Sequence, residues 1–332
     1  MNFKDEAALS RLLSTFDRNY RVTGMYAEYL ERYPEFITEE MVNALTEDGA
    51  VTKEEALVAI LSEAFALNFE NPEDRIIIRD YLTPSVRLLD AEKYRNNPYY
   101  KNVKIPNLTR GRWEFRNECY LPYRGVIAGD MMLFPDMKDI PPLGFFTERF
   151  EFPAVLEDTN EWMTLTPVDL DTSEYAIERA RGRVVTFGLG LGYFAYMAAR
   201  RPDVKSVTVV EKSSEVIALF SEVILPQIEC KDKIRIVNAD AFEYAEKVMP
   251  SEGFDFAFVD TWRDASDGVP MYERMKPLEK LSPTTEFSYW IDGFIRSRIR
   301  SMRFEEMYSL VKENKEGAPK SFSEIISELE KI

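Results

Sequence analysis

Histidine is absent from all 332 residues. That excludes a Ser-His-Asp triad, a Cys-His pair and any histidine metal site, and it leaves Asp, Glu, Lys, Tyr or water to act as a general base. Cysteine is nearly absent as well. Cys119 and Cys230 stand far apart and are too few for a disulfide framework or a Cys-based zinc cluster, so both are expected as reduced, mostly buried thiols and no metal site is expected. No apolar run reaches the roughly eighteen residues of a membrane span. The opening MNFKDEAALS carries acids where an export signal needs a basic and then an apolar run. These absences make the cytoplasm the expected compartment and argue against a membrane partner. Basic charge is also in deficit, with 42 Lys+Arg against 58 Asp+Glu and a net charge of −16. Such a chain repels phosphate backbones, which disfavours a nucleic-acid partner. Its clearest basic run, RSRIRSMR with Arg296, Arg298, Arg300 and Arg303, reads as a solvated helix face.

With 45% apolar and 30% charged residues the chain can bury a sizeable core, as one large domain with additions or as two. Residues 1–104 read as helical. TKEEALVAILSEAFAL opens with Thr52 three positions before Glu55, a capping-box spacing, and amphipathic patterns recur at 5–15, at 38–47 and after Pro72. From 105 to 167 prolines punctuate short aromatic runs, which predicts short strands and ordered loops in a small β-rich region, a small sheet or lid beside the next domain. From 168 to 292 strand-like and helix-like runs alternate: RVVTFG, SVTVVE, KIRIVNAD, FDFAFVD and EFSYWI are the strands. Strict alternation predicts an α/β fold, a doubly wound and mostly parallel sheet covered by helices. The tail, 293–332, reads as helical, with another capping-box spacing at Ser321 and Glu324.

In a doubly wound sheet ligands bind beyond the carboxyl ends of the strands. Three signals fall there. Gly188, Gly190 and Gly192 follow the first strand, where missing side chains let the backbone turn and approach a ligand. Glu211 closes the second strand about twenty residues on, where a carboxylate can accept both hydroxyls of a ribose. Asp240 closes the third, placed to accept from an amino group on a base or, equally, to cap the helix that begins at Ala241. Together they describe a pocket for an adenosine, with Phe187, Lys212 and Ala241 flanking it. A dinucleotide fingerprint would need a third glycine where Tyr193 stands, and an acid at strand three would have no duty in it.

The Gly-x-Gly-x-Gly spacing with acids at strands two and three resembles the class I S-adenosylmethionine-dependent methyltransferases over residues 165–292. Within that superfamily PAVLEDTNEWMTLTPVDLDTSEYAIERARGRVVTFGLGLGYFA is most similar to the spermidine-synthase-like branch. The resemblance implies a Rossmann-like methyltransferase fold with S-adenosyl-L-methionine as cofactor, held by Gly188, Gly190, Gly192, Glu211 and Asp240, with Asp260 of FVDTWRD facing the reacting centre. It implies a transferase acting on a small-molecule or protein acceptor, and homo-oligomers stay open. Methyl transfer is in-line displacement, so positioning dominates, and Asp260 or Asp264 is the expected proton acceptor, although Asp264 can equally cap a helix. Trp162, Trp262 and Tyr193 are candidates to face the sulfonium or simply to pack the core. The departures bear on chemistry. Thr186 stands where many methyltransferases carry an acid, Leu191 where spermidine synthases carry aspartate, and Asp260 and Asp264 are spaced differently from that family's acid pair. Aminopropyl transfer is therefore ranked below methyl transfer, and a nonenzymatic module that binds the cofactor or a partner is a third reading. Helices follow EFSYWI, which leaves the fold open to lacking its customary last strands.

Overall fold

Four strands of the aromatic stretch build an antiparallel sheet in the computed structural model, which describes residues 3–332. They are β1 (Leu108–Arg110), β2 (Trp113–Tyr120), β3 (Phe150–Glu157) and β4 (Asn160–Thr164), paired in that order. Long alternating strands with aromatic residues favour this pairing, and Phe115 lies opposite Val155 with both buried. The alternating region then supplies β5 (Gly182–Phe187), β6 (Val204–Glu211), β7 (Ile234–Asn238), β8 (Phe256–Val259) and β9 (Glu286–Tyr289). These pair in the order β7-β6-β5-β8-β9, all parallel. The sheet is a five-stranded, doubly wound, Rossmann-like one.

The central strand explains its own sequence. Val184, Val185, Thr186 and Phe187 of β5 are all buried, as expected for a parallel strand flanked on both sides and covered on both faces. Thr186, where an acid was conspicuously absent, is 2% exposed and pairs with Val209 on one side and Phe258 on the other. From β5 the chain steps outward to β6 and β7, then crosses back to β8 on the other side. The switch in direction therefore falls between β5 and β8, where open α/β sheets place their ligands.

Residues 90–120 and 148–292, which hold both these sheets, form one compact unit; the chain up to Leu89, residues 121–147 and residues 293–332 form the other. Each is assembled from separated stretches. In the second unit the helices Phe3–Arg32, Glu39–Thr46 and Lys53–Ala64 carry a core of Val22, Tyr26, Tyr29, Leu57 and Leu61. The capping box at Thr52 and Glu55 is made in both directions. A short sheet joins Val86–Leu89, Leu143–Phe146 and Gly125–Ile127, so strands of the aromatic stretch are divided between the two units.

The tail of this unit corrects the reading of the basic run. Arg300 is not solvated: it is 7% exposed and lies 3.4 Å from Asp139, itself 1% exposed. Burial pushes the Asp139 carboxyl up, opposed by Ser297 and Arg300. Asn19 completes the cluster by donating to the Met137 carbonyl and accepting from Tyr81 and the Asp139 N–H. Arg296 of the same run donates to the carbonyl of Ile332. The two cysteines are free thiols, half-buried and not deeply enclosed. No helix among the described residues is long and apolar enough to cross a membrane.

Candidate functional site

The carboxyl ends of β5, β6 and β8, with the loop that follows β7, open onto one cavity of about 480 Å3, within the span of roughly 300–1,000 Å3 usual for small-ligand sites. Its floor is the turn after β5. Gly188 has φ +100° and Gly190 φ +50°, conformations that ordinary L residues avoid. A Cβ on Gly188 would overlap the backbone carbonyl oxygen of Asp260, so the glycine is what lets the tips of β5 and β8 meet. Asp260 N–H donates to the Phe187 carbonyl at 2.9 Å and Gly188 N–H to that of Val210 at 2.9 Å, knitting three strand ends together. Gly188→Ala is expected to lose about 1–3 kcal/mol from strain at this φ, and more from displacing Asp260. A thermal melt should register it as a midpoint lowered by several degrees, and an unchanged midpoint would deny the close approach its importance.

Glu211 stands at the tip of β6 with both oxygens anchored. Oε2 accepts from Leu189 N–H of the glycine turn at 3.1 Å, and Oε1 from Ser213 N–H at 2.7 Å. Each carboxyl oxygen keeps a further lone pair. Asn238 at the end of β7 holds the loop beneath by donating to the Glu211 and Lys212 carbonyls. Of the two alternatives for Asp240 the structure shows the cap: Oδ1 caps the helix Ala241–Lys247, accepting from Phe242 N–H at 3.0 Å and Glu243 N–H at 3.1 Å. Oδ2 lies 3.9 Å from the Lys212 ammonium, a loose pairing that leaves it available to a donor in the cavity.

Asp260 completes the set. Burial, then the neighbouring Asp169 and Glu211 carboxylates, push its pKa from 3.8 up to about 8. Asp169 was not singled out from sequence. It is the third residue of the helix Pro167–Arg179, where its carboxylate accepts at 2.8 Å from both the N–H and the hydroxyl of Thr166. Burial raises it to about 6 despite those two bonds. Its signal was the Thr-x-x-Asp spacing 166–169, an Asp version of the capping box, hidden because the helical pattern is evident only from Asp171 onward. Asp169 and Asp260 share the 480 Å3 cavity and a small adjoining pocket walled by Gly188 and Leu189.

The antiparallel sheet supplies the facing wall through Glu161, Trp162, Met163 and Thr164. Met163 is in contact range of Gly190 and its sulfur accepts from Leu191 N–H. Trp162 packs edge-on against Trp113, and Trp262 stacks on Tyr289 with an indole N–H that is buried and has no hydrogen-bond partner among the described residues. Three of the four tryptophans, Trp162, Trp262 and Trp290, thus line the cavity.

Of the residues read from sequence, Gly188, Gly190, Glu211, Lys212, Asp240, Ala241 and Asp260 are brought together on this lining, and four stand outside it. Phe187 is a fully buried core residue of β5. Gly192, φ +76°, starts the helix Tyr193–Ala199 against the Phe220 ring. Tyr193 accepts from Asn97 and packs on Tyr99. Asp264 caps the helix Ala265–Met275, and hydrogen bonds from Ser266 hold its carboxyl below the usual range.

The lining carries five carboxylates, Glu161, Asp169, Glu211, Asp240 and Asp260, against Lys212 and Arg263. A pyrophosphate would be repelled here. A nucleoside bearing a cationic centre fits: acceptors for its hydroxyls and amino group, an unpaired indole donor, and aromatic faces for the cation.

No family model matches the chain, and no curated protein matches it either. Among solved structures, a spermidine synthase from Thermotoga maritima is 17% identical over 46% of this chain and 59% of its own, with a TM-score of 0.31. A spermidine synthase in complex with the transition state analogue AdoDATO is 16% identical over 46% of this chain and 58% of its own, also with a TM-score of 0.31. Both alignments span under two thirds of those enzymes.

Proposed function

We infer that the chain is an S-adenosylmethionine-dependent methyltransferase for a small-molecule or protein acceptor. The observation that carries this reading is the convergence of Glu211, Asp240 and Asp260, from successive strands, on one cavity floored by Gly188 and Gly190. Glu211 would hold the ribose, Asp240 Oδ2 the adenine amino group, and the carboxylate-rich, tryptophan-lined remainder the positive charge. When bound, the cofactor supplies a carbon activated by its sulfonium. The chain's own contribution is then placement and proton removal. Asp260 is the base in this reading: a carboxyl raised to about 8 is a far stronger proton acceptor than an exposed one, and its tuning lies near working pH. Trp262 and Trp290 line the same cavity.

A second reading has its own observation. Asp169, raised only to about 6 and so mostly ionised at neutral pH, lines the pocket beside the glycine turn, so an intact methionine carboxylate would meet a like charge there, whereas decarboxylated S-adenosylmethionine would not. Calorimetry separates the cases. Methyl transfer requires saturable binding of S-adenosylmethionine and none of NAD. Binding of the decarboxylated form alone moves the assignment to aminopropyl transfer. Absence of binding by either rejects an adenosyl-sulfonium site.

A further inference from the structure

A second cavity in the same unit, about 590 Å3, shares no lining residue with the first. Its charge runs against the rest of the chain. Arg95, Lys101, Lys104 and Arg149 line it, against the single acid Glu151, in a protein where acids outnumber bases 58 to 42. These cations differ in how far they are already satisfied. Arg95 is occupied by Glu92, Glu148 and the Arg149 carbonyl, and forms wall. Arg149 has a stretched contact of 3.3 Å to Glu151. Lys104 donates to the Tyr100 carbonyl, a neutral partner that leaves its charge uncancelled. The remaining lining is apolar or aromatic apart from Asn117, whose amide donates to the Ile105 carbonyl. The hydroxyls of Tyr99 and Tyr100 are taken by the carbonyls of Leu191 and Leu165; Tyr99 is fully buried, so the ring surface offered to the cavity is that of the half-buried Tyr100.

Magnitudes decide whether the net charge of −16 overrides this local excess. At physiological ionic strength the screening length is about 8 Å, so acids elsewhere on the surface contribute little at the cavity and its own cations set the potential. Lysine ammonium groups are point-like donors suited to phosphate oxygens. We propose that this cavity is a binding site for a small phosphate monoester with an apolar or aromatic body, its phosphate held between Lys101 and Lys104 and its body against the Tyr100 ring. The proposal is independent of the S-adenosylmethionine reading.

The test uses phenyl phosphate as probe and isothermal calorimetry on the full chain at low and physiological salt. Saturable binding that weakens with salt is expected for the native chain. The double variant Lys101→Glu/Lys104→Glu should bind at least about tenfold more weakly, because two attractive charges become repulsive. The double variant Lys280→Glu/Lys312→Glu, with the same change in net charge outside the lining, should bind as the native chain does. If the first variant does not fold, Lys101→Gln/Lys104→Gln carries the test, with a loss of about threefold or more expected. Benzyl alcohol, which has the ring without the anion, should not compete. No saturable binding, equal loss in both charge-reversal variants, or an unchanged affinity in the glutamine variant would each overturn the assignment.

Discussion

Glu211→Ala is expected to lower the affinity for S-adenosylmethionine by about ten- to a hundred-fold, the equivalent of roughly 1.5–3 kcal/mol for hydrogen bonds to a charged acceptor. The carboxylate has two separable duties. It ties the glycine turn to the loop after β6, through Leu189 and Ser213 N–H, and it presents its remaining lone pairs to the cavity. An alanine removes both, so affinity for one ligand cannot tell them apart. A cycle with adenosine and 2′,3′-dideoxyadenosine can. If Glu211 holds the ribose, the native chain prefers adenosine and the variant loses that preference. If Glu211 only braces the turn, both ligands weaken equally, and the ribose role is wrong. Glu211→Gln keeps one oxygen acceptor without the charge, so it should fall between the two and retain the native melting midpoint more closely.

How much of this was legible depends on the range of the interaction involved. The five strands β5 to β9 announce themselves by β-branched and aromatic runs between helical patterns, and each glycine or acid at a strand tip follows from its local position. Asp240 shows the limit: its sequence context fits a helix cap and a ligand acceptor equally, and only the geometry shows that Oδ1 makes the cap while Oδ2 has a loose pairing with Lys212. The Thr-x-x-Asp spacing at 166–169 marks Asp169 as a helix cap, but its effect on Asp260 is one that no spacing reveals. Asp264 looked equivalent to Asp260, yet four further residues carry it past the strand tip to a helix start. The same applies to the fold. Val86–Leu89 pairs in parallel with Leu143–Phe146, and Arg300 finds Asp139, across long loops whose closure leaves no periodic trace in sequence. A run of four arginines looks the same whether an acid waits beneath it or water does.

Asp260→Asn is expected to reduce turnover by about a hundred- to ten-thousand-fold, the usual contribution of a positioned base, while cofactor binding changes far less. Its pH signature can be measured before any acceptor is known. The cavity that Asp260 lines is mostly acidic, with Asp169, Glu161, Glu211 and Asp240 against Lys212 and Arg263, and the charges acting on Asp260 are Asp169 and Glu211. At neutral pH, with its pKa raised to about 8, Asp260 is largely protonated. A bound sulfonium favours the ionised form, so the cation must expel that proton, and its affinity should rise by up to about tenfold per pH unit until pH passes about 8. S-adenosylhomocysteine has no sulfonium, so the ratio of the two affinities isolates the effect. That ratio should climb with pH in the native chain and stay flat in Asp260→Asn; a flat ratio in both would mean that Asp260 does not face the charge. The same shift sets a stability signature of definite sign. A carboxyl whose folded pKa lies above 3.8 penalises the folded state once it must ionise, so the penalty is absent at low pH, grows as pH rises and is complete above about 8. Asp260→Asn removes it. The variant should therefore melt at or above the native midpoint near pH 9, and its advantage should shrink towards pH 5. A variant less stable than the native chain across that whole range would show the carboxylate to be a structural partner, and would remove the electrostatic ground on which its role as base stands.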